Sequence, residues 1–179
     1  MKRNILVFAL IAIFALTLSS CGKQEKTNTQ KLCIEKGWVL QSVTAAPYYI
    51  SAAGERITNF YDDLMIESEK DDIIKFAENG SQTINPGKIL PTDDEDGYLT
   101  EKATTWKFSA DEKDLTFQIP FFYEYPMDGS VARTFDAAFE TATITKLTET
   151  ELVLTYTCNL IDVPTKETCT LTLTYIPVK

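Results

Sequence analysis

The sequence contains no histidine. This absence excludes Ser-His-Asp and Cys-His nucleophile pairs and every metal site built on imidazole. The seven glycines occur singly and form neither common type of glycine-rich phosphate loop, which disfavours nucleotide chemistry. No cluster of Lys and Arg follows Arg3, so we expect no nucleic-acid partner. We also expect no cofactor.

Carboxylates remain as the main enzymatic option. The chain has 26 acidic residues, so almost any carboxylate pair can be imagined and such a pattern has little specificity. A carboxylate-based hydrolase would need one acid with a strongly raised pKa inside a cleft. Glu124, which is flanked by aromatic residues, is the one candidate that the sequence offers. We therefore expect a protein that is not an enzyme.

The first twenty residues have the layout of a signal peptide. Lys2 and Arg3 precede an apolar run of twelve residues, which is too short to cross a bilayer. The following Leu18-Ser19-Ser20-Cys21 resembles the lipobox of bacterial lipoproteins. That resemblance implies cleavage before Cys21 and acylation of its thiol, and several acyl chains hold a protein firmly on a membrane. The alternative is ordinary secretion with Cys21 as a spare thiol.

Removal of residues 1–20 leaves 15 basic and 26 acidic residues, so the mature chain has a net charge of −11. Residues 22–31 carry no apolar side chain. Residues 21–32 are therefore predicted to be the lipidated cysteine and a flexible tether, and residues 33–179 one domain. We expect a lipid-anchored protein of the bacterial cell envelope, most simply at the outer membrane, on a face that the sequence leaves open.

Short alternating strands separated by turn signals dominate the domain, and they are typical of an all-β protein. The best-defined hairpins are Ile73–Phe76 and Ser81–Ile84 around Asn79-Gly80, and Thr104–Phe108 and Leu115–Ile119 around Asp111–Asp114. Asn-Gly between two alternating segments is a strong hairpin signal. Asp62–Lys70 is predicted to form a short helical turn.

Two further expectations concern strand phase. In the first strand, alternation places Trp38 and Leu40 on one face and Val43 on the other. The later segment Val131–Leu147 is too long for one flat strand, and its apolar phase shifts part of the way along. A β-bulge near Glu140 is the simplest explanation.

The last hairpin has the most strongly specified register. One alignment pairs Cys158 with Cys169, Tyr156 with Leu171, Leu154 with Leu173 and Leu152 with Tyr175. A slip by one residue would break all four pairs. We therefore predict a disulfide between Cys158 and Cys169, which suits an oxidising compartment. Two buried thiols are the alternative, because direct cross-strand bridges are geometrically restricted. Cys33 could instead pair with either cysteine.

About eight strands joined by tight turns predict an antiparallel up-and-down β-barrel, because closure removes the exposed edges of a sheet. A two-sheet β-sandwich is the alternative. The lipobox, Gly37-Trp38, Asp72–Phe76 leading to Asn79-Gly80, Trp106-Lys107-Phe108, and Ile144–Thr148 leading to Leu152–Leu154 resemble the lipocalin-like lipoproteins of Bacteroidetes. The resemblance implies a barrel with a possible apolar cavity and supplies no reaction. Trp38 is then expected to plug the barrel floor.

Aromatic residues are the candidate ligand contacts. Phe121, Tyr123 and Tyr125 share one face of a strand, and together with Trp106 they could stack on a sugar or cover an acyl chain. The alternative is wall packing, which is the usual role of aromatic residues in strands.

The acidic stretch Thr92–Gly97 resembles part of a calcium loop. Asp94 and Asp96 fit two ligand positions, but Thr92 occupies the first position and Ala103 stands where the bidentate Glu belongs. We therefore expect no metal site here.

Two functions follow from the sequence. The first is a lipid-anchored binding protein that holds a small apolar or amphipathic molecule, or a glycan fragment, inside the barrel. The alternative is a non-catalytic structural or interaction lipoprotein whose barrel is filled by side chains and which contacts another envelope protein. The membrane itself is a partner in both, through lipidated Cys21.

Overall fold

A computed structural model describes residues 25–51, 53–65, 67–85, 87–89, 102–118, 139–159 and 168–179. Within these ranges the helices are α1 (Asn28–Leu32), α2 (Phe60–Asp63) and α3 (Glu67–Lys70). The strands are β1 (Trp38–Ile50), β2 (Arg56–Asn59), β3 (Ile73–Phe76), β4 (Ser81–Asn85), β5 (Lys102–Thr105), β6 (Lys107–Phe108), β7 (Asp114–Gln118), β8 (Phe139–Leu147), β9 (Leu152–Asn159) and β10 (Thr168–Pro177). The two helical turns within residues 60–70 confirm the helical segment expected there.

The strands form one antiparallel sheet that curls into a nearly closed barrel. Their order is β5-β4-β3-β1-β10-β9-β8-β7-β6, and β2 pairs with β1 outside this path. The two ends of the path, β5 and β6, are separated in sequence only by Trp106. One stretch of chain therefore pairs with β4 through its first half and with β7 through its second half. The all-β barrel is confirmed, and the two-sheet sandwich is wrong.

A glutamine side chain fills the seam where this shared stretch passes from β4 to β7. Gln82 on β4 is fully buried, and its side-chain amide donates to the carbonyl oxygen of Gln118 on β7 at 2.6 Å. The backbone N–H of Gln118 donates in return to Gln82 Oε1 at 2.9 Å. β6 pairs with β7 only at Thr116 and Leu115, so the amide of Gln82 takes the place of a missing strand partner.

The register of the last hairpin is confirmed. Cys158 lies opposite Cys169, Tyr156 opposite Leu171, Leu154 opposite Leu173 and Leu152 opposite Tyr175. Cys169, Leu171, Leu173 and Tyr175 are all buried, and threonines alternate with them on the outer face. The hydrophobic pattern therefore determined the pairing, as expected when one face of a strand is buried.

The structure corrects the phase of two strands. The pairing of β1 with β10 shifts between Leu40 and Ser42, so Val43 faces the core together with Trp38 and Leu40. The bulge in β8 lies between Ile144 and Lys146 rather than near Glu140. Residues 131–138 of the predicted strand lie outside the described residues. In both strands a bulge inserts one residue and reverses the alternation beyond it.

The barrel has two distinct ends. We call the helix end the one that carries α1 together with the turns at residues 77–80, 109–113 and 148–151. There Trp38 Nε1 donates to the carbonyl oxygen of Leu32 at 2.7 Å, and both side chains are fully buried. The expectation that Trp38 plugs the barrel floor is confirmed. We call the opposite end, where β4, β7 and β9 finish, the far end.

A short capped helix lies within the predicted tether, over residues 27–32. Thr27 accepts from the backbone N–H of Gln30, and the side chain of Gln30 accepts from the backbone N–H of Thr27, which is a capping box. α1 follows, and its Leu32 is buried under the barrel. Hydrogen bonding at the start of α1 and burial at its end bring these residues into the folded domain.

Replacement of Gln82 by leucine is expected to lower the free energy of unfolding. The change replaces the amide by an apolar group of similar size and leaves the N–H and carbonyl of Gln118 without their partners. The loss should be about 2 to 6 kcal/mol, since two groups lose their partners and each unpaired buried group costs about 1 to 3 kcal/mol. Urea unfolding followed by tryptophan fluorescence measures it.

The matched control is Gln41→Leu on the exposed face of β1. That change should alter stability by no more than about 0.5 kcal/mol. Equal stability of the Gln82 and Gln41 variants would contradict a structural role for the seam.

Candidate functional site

Side chains fill the inside of the described barrel. Six residues from four strands point inward and are 0 to 1% exposed: Trp38, Val43, Leu115, Phe117, Leu154 and Leu173. A void wide enough for a water molecule would expose part of any side chain that borders it. No such space therefore lies against these side chains, and an apolar ligand has no room among them. Small barrels are often filled in this way.

The space around Tyr175 is also filled, although this residue carries a polar group. Its ring is 1% exposed, and its hydroxyl oxygen is buried without a hydrogen-bond partner. Burial raises the pKa of this phenol well above its usual value. A ligand or a water molecule beside the hydroxyl would need accessible space there, and the atom has none. Tyr175 is thus a polar group buried by packing, at a free-energy cost.

Trp106, the one predicted ligand contact among the described residues, is part of the wall. Its indole N–H donates to the carbonyl oxygen of Ala77 at 2.9 Å, and its side chain is 8% exposed. Its ring packs edge-on against Phe76 and Phe108, with centroids 5.8 and 5.2 Å away. The contacts of this residue are those of a core tryptophan that holds the junction of β5 and β6.

A groove lies outside the barrel, between the end of α1 and the β3–β4 hairpin. Its volume is about 310 Å³, at the lower limit of typical ligand pockets. Apolar surface comes from Cys33, Ile34, Phe76 and Ala77, and the charged side chains of Glu35, Lys75 and Glu78 stand beside it. Burial, and next the charge of Glu78, raise the pKa of the Cys33 thiol to about 11, which keeps the thiol protonated and poorly nucleophilic at neutral pH.

The two cysteines of the last hairpin lie side by side. Their sulfur atoms are 3.2 Å apart, close enough for a weak S–H···S hydrogen bond and longer than the roughly 2.05 Å of a disulfide. Cys169 is buried at 1% exposed, and Cys158 is half-buried. The structure therefore describes a pair of adjacent sulfur atoms, and the disulfide stays a prediction. Cys33 lies at the helix end, whereas both of these cysteines lie toward the far end.

Several predicted residues lie outside the described part of the chain. They are the lipidation residue Cys21, the aromatic row Phe121, Tyr123 and Tyr125, the acid Glu124, and the calcium-loop residues Asp94 and Asp96. Among the described residues, no group of three or more Cys, Asp or Glu side chains is arranged to hold a metal ion. No helix in that part of the chain is long and apolar enough to span a membrane.

Sequence reasoning missed two structural features that bear on the site. The capping box of Thr27 and Gln30 before Leu32 was readable, because Thr-x-x-Gln ahead of an apolar residue is a known helix-start pattern. The bridge from Gln82 to Gln118 was not readable, because a glutamine in a strand gives no sign of its partner 36 residues away.

Comparison with known proteins gave no match: no family model, no curated protein and no solved structure resembles this chain significantly.

Mild oxidation is expected to join Cys158 to Cys169. Trypsin cleaves after Lys146 and Lys166, which places the two cysteines on peptides 147–166 and 167–179. Peptide mapping without reduction should then find these two peptides as one linked species, and reduction should separate them. The closeness of the two sulfur atoms is the reason, since closing the bond needs only a small movement.

Cys158→Ser and Cys169→Ser should each abolish this species, whereas Cys33→Ser should leave it unchanged. Free thiols at both positions after oxidation would reject the bridge.

Replacement of Tyr175 by phenylalanine is expected to raise the free energy of unfolding by about 1 to 3 kcal/mol, because it removes an unpartnered buried hydroxyl. The gain should increase above pH 10. There the unfolded wild-type chain ionises Tyr175 while the folded chain keeps it protonated, so the wild type loses stability that the variant retains. Urea unfolding at pH 7 and pH 10.5 measures both effects. A less stable variant would show that the hydroxyl has a partner.

Proposed function

We propose that this protein is a lipid-anchored, non-catalytic protein of the bacterial cell envelope. In this proposal its side-chain-filled barrel is a rigid scaffold that contacts another envelope protein. The observation that carries the proposal is the packing of the interior: side chains such as Trp38, Phe117 and Leu154 are 0% exposed. A scaffold needs a solid core, whereas a carrier of small molecules needs a space.

The same packing weighs against a carrier. A molecule held inside the barrel would have to displace several of these side chains, and small ligands are normally held in pockets that are largely formed in advance. The hydroxyl of Tyr175 gives further support, because even this polar group has no room for a water molecule. The groove beside Cys33 lies outside the barrel and is small.

In this proposal the lipid anchor is attached to Cys21. Its support is the lipobox Leu18-Ser19-Ser20-Cys21 after a short apolar run. Acyl chains on Cys21, palmitate among them, would hold the protein at the envelope, most simply at the outer membrane. The structure is compatible with this anchor, because the capping box at Thr27 begins the folded part only six residues after Cys21.

We further infer kinship with the lipocalin-like lipoproteins of Bacteroidetes. Two features support it. The motifs around Gly37-Trp38 and Asn79-Gly80 fall at the start of β1 and at the β3–β4 turn, where the resemblance needs them. The strands also follow an up-and-down order, in which β1 and β10 pair.

Native mass spectrometry of the protein extracted from its own host's membranes tests this function. The expected species is a chain that starts at Cys21 and carries covalent acyl groups, with no additional small molecule that organic extraction removes. A retained protein partner would add thousands of daltons and support the scaffold role. A reproducible small mass that extraction removes would instead establish a ligand-carrying barrel.

Cys21→Ala is the control for the anchor. This variant should carry no acyl mass and should leave the membrane fraction, whereas Cys33→Ala should keep both. Undiminished membrane association of the Cys21→Ala variant would reject the lipid anchor.

A further inference from the structure

The start of the folded chain is fixed at one end of the barrel. Lys26 forms a 3.1 Å ion pair with Glu149 in the turn between β8 and β9. Asn28 donates to Glu112 in the turn between β6 and β7 at 2.8 Å. Leu32 then accepts from the indole N–H of Trp38. Residues 26–32 are therefore held against the helix end at three separate points.

The distance from the anchor to this end is short. Thr27 is the sixth residue after Cys21, and even a fully extended chain of six residues spans at most about 22 Å. The far end lies beyond reach, because β1 has 13 residues and a tilted strand of that length separates the two ends by about 30 Å. Acyl groups on Cys21 therefore bring the helix end close to the lipid headgroups.

The helix end carries charges of both signs. Residues 25–37, the three turns and residues 178–179 contain seven acidic and five basic residues. Their net charge is only −2, so an anionic lipid surface repels this end weakly.

Several acids at the helix end are also paired. Asp111 lies 3.1 Å from Lys113, and Lys26 lies 3.1 Å from Glu149. Glu151 forms a further ion pair with Lys146. These pairs are exposed, so they add little stability, but they leave the helix end with a nearly neutral, mixed-charge surface. Such a surface can approach both zwitterionic and anionic lipid headgroups.

We propose that the barrel stands on the membrane with its helix end against the lipid headgroups and its far end directed away from the bilayer. This inference rests on the proposed lipidation of Cys21, and it adds which surface of the protein faces the lipid. The far end then becomes the part of the molecule that another envelope protein can reach. The turns around Ala110 lie at the membrane, and the turn around Ala53 between β1 and β2 lies away from it.

Fluorescence quenching of a matched pair of labelled variants tests the orientation. Ala110→Cys and Ala53→Cys each place a thiol at an exposed alanine, one at each end. Cys33→Ser and Cys158→Ser remove the two partly accessible thiols, and Cys169 stays because it is buried. The lipidated protein, extracted from membranes and labelled with a fluorophore, is added to vesicles of phosphatidylethanolamine and phosphatidylglycerol. A fraction of the headgroups carries a short-range nitroxide quencher.

The fluorophore at residue 110 should be quenched several-fold more strongly than the one at residue 53. Equal quenching of both, or stronger quenching at residue 53, in protein that sediments with the vesicles would overturn the orientation and leave the anchor intact. Failure of the protein to sediment with vesicles would overturn the anchor, and the orientation with it. The same protein without an added cysteine measures background labelling, and circular dichroism verifies that both variants are folded.

Discussion

Closure of the sheet is the constraint on which the rest of the structure depends. A sheet that curls around a core must satisfy the backbone groups along its last two edges. Here one stretch of chain, interrupted at Trp106, serves as the neighbour of both β4 and β7. Where this stretch leaves β7, the side-chain amide of Gln82 satisfies the backbone of Gln118. Without these two devices the inner face of the sheet would open to water at the seam.

A closed barrel of this size leaves its centre to side chains. Tryptophan, phenylalanine and leucine fill it, and α1 covers one end through the hydrogen bond from Trp38 to Leu32. The packing is tight enough to bury the hydroxyl of Tyr175 without a partner. A protein built in this way presents its outer surfaces and its ends to other molecules, so we look for its function there rather than inside the barrel.

The parts of the fold that the sequence predicted are those set by local pattern. The β9–β10 hairpin followed from alternation within residues 152–158 and within residues 169–175, and the turn at Asn79-Gly80 followed from its composition. Alternation failed in β1, where a bulge after Leu40 moved Val43 to the inner face. A bulge depends on the pairing of two strands, so a single strand's sequence does not reveal its position.

The candidate site was less predictable, because its components depend on long-range contacts. Trp106 suited a binding face by residue type, but the hydrogen bond to Ala77 shows that it belongs to the wall. The polarity of residues 22–31 suggested a tether throughout. The next residue, Leu32, is apolar, and its burial holds the end of a helix against the barrel. The groove beside Cys33 forms only when α1 meets the β3–β4 hairpin. No sequence pattern marks such a meeting.

The pairing of β1 with β10 has a consequence for how the chain is made. The pairing extends from Trp38 opposite Pro177 to Ala46 opposite Thr170. β1 therefore lacks this neighbouring strand until β10 is present. Contacts between segments far apart in the sequence are slow to form, and these cannot form until β10 has been synthesised. A nascent chain of this protein thus stays unable to close its barrel until β10 has been made and can pair with both β1 and β9.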